Sequence, residues 1–302
     1  MTTEIKVNVK AGLVTTIANS VYSSALMKVR ESISNSIDSK ATRCLFFFKV
    51  CDENGENISK LSLLDNGHGI TTDRFVEIFE SIGCGLERLD ANAYSYFGLG
   101  LMSIFKLGKK VSIVSKSEDG EIKKVFIDSY NFFHKDNENK NIEELQEYIS
   151  FEETDLVERN IISPLSDESF TTWFDGNPST FTEIIVEELY PDDITELTSA
   201  SFKDELRKIV PLKPRVDDPF FSHFTEVDQA SVVALLDNDT FFPTIDYFHG
   251  LQDDETIVRL TKYFPIFNLH GKKFDLYKCE VTTDFAYYVV YSTKDLQPDS
   301  DT

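Results

Sequence analysis

Basic residues are scarce in this chain of 302 residues: 30 Lys and Arg face 52 Asp and Glu, for a formal net charge of −22. That balance argues against a surface that grips nucleic acid constitutively, because such grip comes from Lys and Arg neutralising phosphates. Long apolar runs are missing as well. The longest, around CLFFFKV, falls far short of the ~20 residues that cross a bilayer, and the polar start MTTEIKVNVK lacks the character of a secretory leader. The expectation is a cytoplasmic protein with no membrane partner. Cysteine is sparse: Cys44, Cys51, Cys84 and Cys279 form no CxxC pair and have no His at metal-ligand spacing, so they read as reduced, mostly buried thiols. Two phosphate signatures are absent too. No GxxxxGK[ST] occurs, and no strand-GxGxxG-helix unit, which sets aside a Walker A loop and a dinucleotide fingerprint.

What is present is a chain with 41% hydrophobic residues, enough for a sizeable core in one large or two smaller domains. In TTIANSVYSSALMKVRESISNSIDS the apolar Tyr22, Leu26, Val29, Ile33 and Ile37 recur in steps of three and four, the mark of an amphipathic helix. ATRCLFFFKV, the turn DENGEN and KLSLL read as a hairpin. TTDRFVEIFESIG reads as a helix capped by Thr72 or Asp73. CGLERLDANAYSYFGLG reads as a loop, LMSIFKLG as a short helix stopped by Gly108, and KVSIVSKSEDGEIKKVFID as a strand, an Asp-Gly turn and a return strand. Residues 131–178 look like a charged insertion with a helix in NIEELQEYISF. TFTEIIVEEL then resumes the sheet, TSASFKDELRKIVP is a capped helix, and PLKPRVDDPF is a boundary.

Three short stretches carry candidate chemistry. Glu31, Asn35 and Asp38 share an arc of about 60° on the first helix, opposite its apolar face. Alone, such a stripe is the wet side of a surface helix; functionally, a carboxylate beside an amide oxygen could supply a water-activating base and a ligand for a hard cation such as Mg²⁺. In LLDNGHGI, Asp65 ends an apolar strand, where its carboxylate could accept from an exocyclic amine. Gly67 and Gly69 permit positive φ and close backbone approach, and an ordinary Asp-Asn-Gly turn is the alternative. In FGLGLMSIFKLG, Gly98 and Gly100 precede a helix, so that backbone N–H groups and the helix dipole converge where an anion could sit. Between Lys106 and Lys124 six lysines against three acids make a local basic stretch, read alone as a solvated strand pair.

In order and spacing the three stretches resemble the GHKL ATPases, the superfamily of gyrase B, the ninety-kilodalton heat-shock chaperone, histidine kinases, MutL and MORC proteins. The E-x-x-x-N-x-x-D box falls at Glu31, Asn35 and Asp38, the D-x-G-x-G box at Asp65, Gly67 and Gly69, and the glycine motif at Gly98 and Gly100. The resemblance extends to NSIDSKATRCLFFFKV and to FGLGLMSIFKLGKKVSIVSK. FTEIIVEEL is similar to the strand that closes the family's pocket, with Thr182 at the threonine position and Phe181 where a glycine is usual. The resemblance implies that Glu31 is the general base, that Asn35 coordinates Mg²⁺ through its side-chain oxygen, and that Asp38 supports the site. It implies further that Asp65 binds the adenine amine, with Gly67 and Gly69 lining the base. Gly98, Leu99 and Gly100 would offer N–H groups to the phosphates of ATP, and residues 83–97 would form a lid. The lysines from Lys106 onward would offset the acidic field around a polyanion. Asn66 and His68 receive no role.

The fold implied is α+β, a two-layer α/β sandwich of the Bergerat type: a mixed, largely antiparallel sheet with helices on one face, followed by a smaller β-containing region. The expected division is residues 1–215 for the ATP-binding domain and 216–302 for a partial or small second domain. The chaperone, MutL and MORC branches are favoured, because no His precedes His68 to serve as a kinase phosphoacceptor. The leading expectation is Mg-dependent ATP hydrolysis driving lid closure and homodimerisation, with a protein client or partner. The alternatives are a non-hydrolysing nucleotide-sensing or partner-docking module, and the ATPase part of a DNA-associated machine. A second catalytic cation is weakly matched by Lys272 and Lys273; either the chain is a fragment or a partner supplies that group.

Overall fold

The computed structural model describes residues 22–53, 56–80, 100–154, 179–210, 244–250, 258–260, 274–282 and 285–292, with residues 12, 16 and 212. The chain divides into two units, residues 1–213 with 238–261, and residues 214–237 with 262–302. Residues 238–261 return to the first unit because they carry a strand that joins its sheet.

In the first unit the described elements run α1 (Ala25–Asp38), β1 (Arg43–Glu53), β2 (Glu56–Asp65), α2 (Thr72–Glu80), α3 (Gly100–Phe105), β3 (Gly108–Lys116), β4 (Ile122–Asp128) and α4 (Ser129–Phe132). They continue with β5 (Ile149–Thr154), β6 (Phe181–Leu189), α5 (Pro191–Leu197), α6 (Phe202–Ile209), β7 (Thr244–Gly250) and β8 (Val258–Leu260). The eight strands form one sheet in the order β5-β4-β3-β6-β2-β1-β7-β8. Every pairing is antiparallel except β1 with β7. This is an α+β architecture with a mixed, largely antiparallel sheet. The described part of the second unit is one antiparallel hairpin, β9 (Phe274–Thr282) with β10 (Phe285–Ser292).

Strand alternation divides the core into two layers. Cys44, Phe46, Phe48, Leu61, Leu63, Val111, Ile113, Val125, Ile127, Ile184 and Val186 face the helices and join the buried apolar stripe of α1, Ala25, Val29, Ile33 and Ile37. Phe46 stacks on Phe202 of α6 with ring centroids 6.0 Å apart. The alternate residues Leu45, Phe47, Leu64, Val114, Ile122 and Phe181 are buried on the opposite face. The continuous run CLFFF is thus the signature of a strand covered on both sides. Cys44 is buried and forms no disulfide.

Local chemistry accounts for most element ends. Ser24 caps α1 by accepting from Met27 N–H. Thr71, not Thr72 or Asp73, supplies the hydroxyl that accepts from Arg74 N–H at 3.3 Å at the start of α2. The Asp-Gly turn between β3 and β4 places Gly120 at φ +85°. The stretch expected as an insertion enters the sheet: Ile142–Tyr148 is a 3-10 helix, and β5 adds an edge strand to β4. Residues 155–178 lie outside the described residues.

One long-range contact fixes the site helix. The Glu196 carboxylate of α5 accepts from Ala25 N–H at 2.8 Å and Leu26 N–H at 3.1 Å, two donors that the first turn of α1 cannot satisfy internally. Beside it Lys28 pairs with Asp193 at 3.0 Å, and burial pushes the Asp193 carboxyl up even so. Glu196→Ala is expected to lower stability by about 1–2 kcal/mol, the usual worth of a lost cap. A urea midpoint equal to that of the wild type would show the cap to be dispensable.

Candidate functional site

The polar stripe of α1 is not wet. Glu31 is only 4% exposed, because α3 packs across that side of the helix. A Cβ added to Gly100 would meet Glu31 Oε1 at 2.5 Å and Cγ at 2.6 Å, so only glycine lets the start of α3 lie against this carboxylate. The buried Tyr22 hydroxyl hydrogen-bonds Glu31, and burial together with that carboxylate raises the Tyr22 phenol well above its usual range. The Arg30 guanidinium stands 3.8 Å from Glu31 Oε2. A carboxylate in this setting is held in orientation by its neighbours. One turn on, Asn35 is partly buried, and its Nδ2 has no hydrogen-bond partner in the described structure. Asp38, at the end of the helix, is likewise partly buried.

Asp65 ends β2 on the helix-facing side of the sheet and is 5% exposed. Ser36 Oγ donates to its Oδ2 at 2.8 Å and Gly67 N–H to its Oδ1 at 2.8 Å. Burial pushes the carboxyl up to about 6 against the pull of these two donors, which favour the anion. The carboxylate is thus ionised at neutral pH and keeps lone pairs beyond the two in use.

The glycines of this box serve the turn itself. A Cβ on Gly67 would collide with the Ser39 hydroxyl and carbonyl and with Asp65, and Gly69, at φ +72°, would collide with the Lys116 carbonyl. His68 N–H donates to Ser39 O at 3.0 Å, and its ring is exposed. Asn66 Oδ1 accepts from Thr42 N–H at 2.9 Å and Arg43 N–H at 2.8 Å, tying the box to the start of β1. The turn is thereby wedged between the end of α1 and the end of β3.

Strand register extends the site sideways. Asp65 pairs with Thr182, Thr182 with Ser115, and Ser115 with Lys123, giving a row of polar residues on the helix-facing side where the flanking positions are apolar. Thr182 is 6% exposed and Ser115 fully buried. Lys123 is fully buried and salt-bridged to Asp119 at 2.6 Å. The lysines expected to face a polyanion have local partners instead: Lys109 and Lys110 pair with Glu188. Lys106 lies over the Phe133 ring at 5.2 Å, and burial, with Lys28 nearby, brings its ammonium down to about 8.

The chain thus connects Glu31, Asn35, Asp65 and Thr182 through α1, β2 and β6, with Gly100 against the first of them. Gly98, Leu99, the expected lid at 83–97, Lys272 and Lys273 lie outside the described residues. Sequence reasoning passed over Tyr22, Ser36 and Ser115. Ser115 carried a signal, since it continues the parity of Val111 and Ile113 with a hydroxyl where a third apolar residue would extend the core.

The structure thus combines a helix-covered mixed sheet, a buried acid at one strand end and a glycine-started helix against a second acid. The family of histidine kinase-, DNA gyrase B- and HSP90-like ATPases matches residues 22–161. The match places residues 22–161 in the GHKL ATPase superfamily, a family that points to ATP as ligand and to its hydrolysis. A search of curated proteins finds no match. Thr182 lies beyond the matched segment, but β6 stands between β2 and β3 in the sheet. Among the described residues no helix is long and apolar enough to cross a membrane.

Gly69→Ala tests the wedge. Positive φ and the backbone clash together are expected to cost about 2 kcal/mol or more, read as a lowered melting temperature. Gly120→Ala, whose Cβ would meet nothing within 4 Å, isolates the φ penalty at a site with open space.

Proposed function

We propose that the chain binds ATP with Mg²⁺ in this site and hydrolyses it, with Glu31 as general base. The observation that carries the reading is the side chain of Asn35, partly buried, whose amide nitrogen is buried without a partner on the same helix as the buried Glu31. A buried donor so placed is completed by an acceptor, such as an oxygen of a phosphate. The residues fit the cation: the Asn35 side-chain oxygen would hold Mg²⁺, a hard ion that takes few protein ligands together with phosphate oxygens and water. When bound, the ion would neutralise charge on the phosphates and polarise the bond to be broken.

The residues of this chain do the remaining work. Asp65 accepts from the exocyclic amine of adenine and Thr182 lies beside it, while Gly67 and Gly69 keep the turn close to the base. Asp38 supports the end of α1. Gly98, Leu99 and Gly100 offer N–H groups to the phosphates ahead of α3. Glu31 takes a proton from the water whose oxygen attacks the γ-phosphorus; the bond from that phosphorus to the bridging oxygen breaks, leaving ADP and inorganic phosphate. The output we propose is a switch of the chaperone, MutL or MORC kind. Contacts to the γ-phosphate favour a closed, homodimeric state that can engage a protein partner, and hydrolysis releases it. The acidic net charge weighs against a nucleic-acid machine.

Glu31→Ala is expected to lower turnover at least a hundredfold, in keeping with the loss of a general base, while leaving nucleotide affinity within a few-fold. Asp65→Asn is expected to abolish saturable binding in calorimetric titration. A folded wild type that binds Mg-ATP without turnover would leave a nucleotide sensor as the reading, and one that binds nothing would remove the site altogether.

Affinity should also depend on pH. Since burial raises Asp65 to about 6 and the amine contact favours the anion, adenine-nucleotide affinity rises between pH 5 and 7, and binding near pH 6 releases a proton. Calorimetry in buffers of different ionisation enthalpy measures that release. Proton uptake, or an affinity flat across this range, would show that the Asp65 anion is not the group recognised.

A further inference from the structure

The Ser115 hydroxyl is fully buried and meets three polar groups at once. It donates to Phe181 O at 2.9 Å, accepts from Ile70 N–H at 2.8 Å, and stands 3.0 Å from Thr182 Oγ1. A hydroxyl has one proton and two lone pairs. The proton is committed to the Phe181 carbonyl and one lone pair to Ile70, so the contact with Thr182 is made by the Thr182 proton entering the second lone pair. Thr182 has then spent its only proton and has lone pairs alone to offer a ligand.

Thr182 is the cross-strand neighbour of Asp65 on the same face of the sheet. Asp65, as an anion, also only accepts, and its two protein donors come from Ser36 and Gly67. Two acceptors therefore stand side by side at the base end of the site.

We propose that Ser115 is a positioning residue that holds Thr182 as an acceptor, so that the site selects a purine bearing an exocyclic amine over one bearing a carbonyl at the same position. An amine has protons for both groups, whereas a carbonyl presents lone pairs to lone pairs and leaves buried acceptors unpaired. The inference rests on the nucleotide-binding reading above and adds the residue that sets its base preference.

The experiment compares the affinities of the magnesium complexes of ATP and inosine triphosphate, which differ by an amine against an oxo group on the same triphosphate. The wild type is expected to prefer ATP by about tenfold or more. Ser115→Ala releases the Thr182 proton to face the ligand and should narrow that preference about fivefold to tenfold, mainly by weakening ATP. Ser115→Thr keeps the hydroxyl and should keep the preference, which separates the proposed role from packing. Since Ser115→Ala also removes the acceptor of Ile70 N–H, Thr182→Val gives a second route with the same expected narrowing. Equal weakening of both nucleotides in these variants, or an unchanged ratio, overturns the inference while the wild-type data still support the site. A wild type that binds neither nucleotide overturns the nucleotide reading and this inference together.

Discussion

Two carboxylates taken out of water set the terms for the whole site. Glu31 is 4% and Asp65 5% exposed, and an ionised carboxylate in such surroundings is costly unless donors meet it. Asp65 is met by Ser36 and Gly67, Glu31 by Tyr22 with Arg30 nearby. Glu31 and Ser36 belong to one helix and lie about 140° apart around it. For both to act, α1 must be enclosed on several sides. Its apolar stripe faces the sheet, its polar stripe meets α3, and its first turn is held by Glu196. Gly100 follows from the same enclosure, since any larger residue there would displace the carboxylate it lies against.

Much of this was legible in the chain, for reasons that are local. The period of Val29, Ile33 and Ile37 locates α1, the run CLFFF locates a covered strand, and Asp119-Gly120 locates a hairpin, because each reports the backbone that carries it. The spacing of Glu31, Asn35 and Asp38 places them on one arc, and the glycines mark close approach. What could not be read is the partner of each. Periodicity describes a stripe as polar without saying whether water or another helix covers it. Glu31 read alone as a solvated residue is buried because α3 arrives from about seventy positions away. The parallel return of β7 beside β1, across more than 190 residues, left no local mark. The α5 helix did carry signals, Pro191 at its start with Asp192 and Asp193 in its first turn, and its importance lies in the long-range cap that Glu196 provides.

The box glycines show how one residue type can satisfy two demands. A Gly-x-Gly turn beside a proposed base suggests room for the ligand, yet both glycines are also required by the protein's own backbone: Gly67 by Ser39 and Asp65, and Gly69 by Lys116 and a positive φ. The turn is thereby fixed to α1 on one side and β3 on the other. A recognition carboxylate at its root inherits that fixity, which lowers the ordering cost of binding. Rigidity of the turn and the recognition proposed for Asp65 have the same structural origin.

Charge is the remaining constraint. A chain of net charge −22 proposed to hold a triphosphate must offset repulsion close to the ligand, and the basic stretch first appeared suited to that. In the fold, Lys109 and Lys110 are drawn to Glu188, Lys123 to Asp119, and Lys28 to Asp193. These pairs tie strand to strand, turn to strand and α5 to α1, so their positive charge is spent on architecture. Under the proposed reading, attraction for the phosphates would fall to a short-range source, a divalent cation at Asn35. Such a source acts within a few ångströms and does little at a distance, where the acidic surface still repels other polyanions such as nucleic acid. An acidic protein can in this way bind one small anion tightly while remaining a poor partner for an extended one.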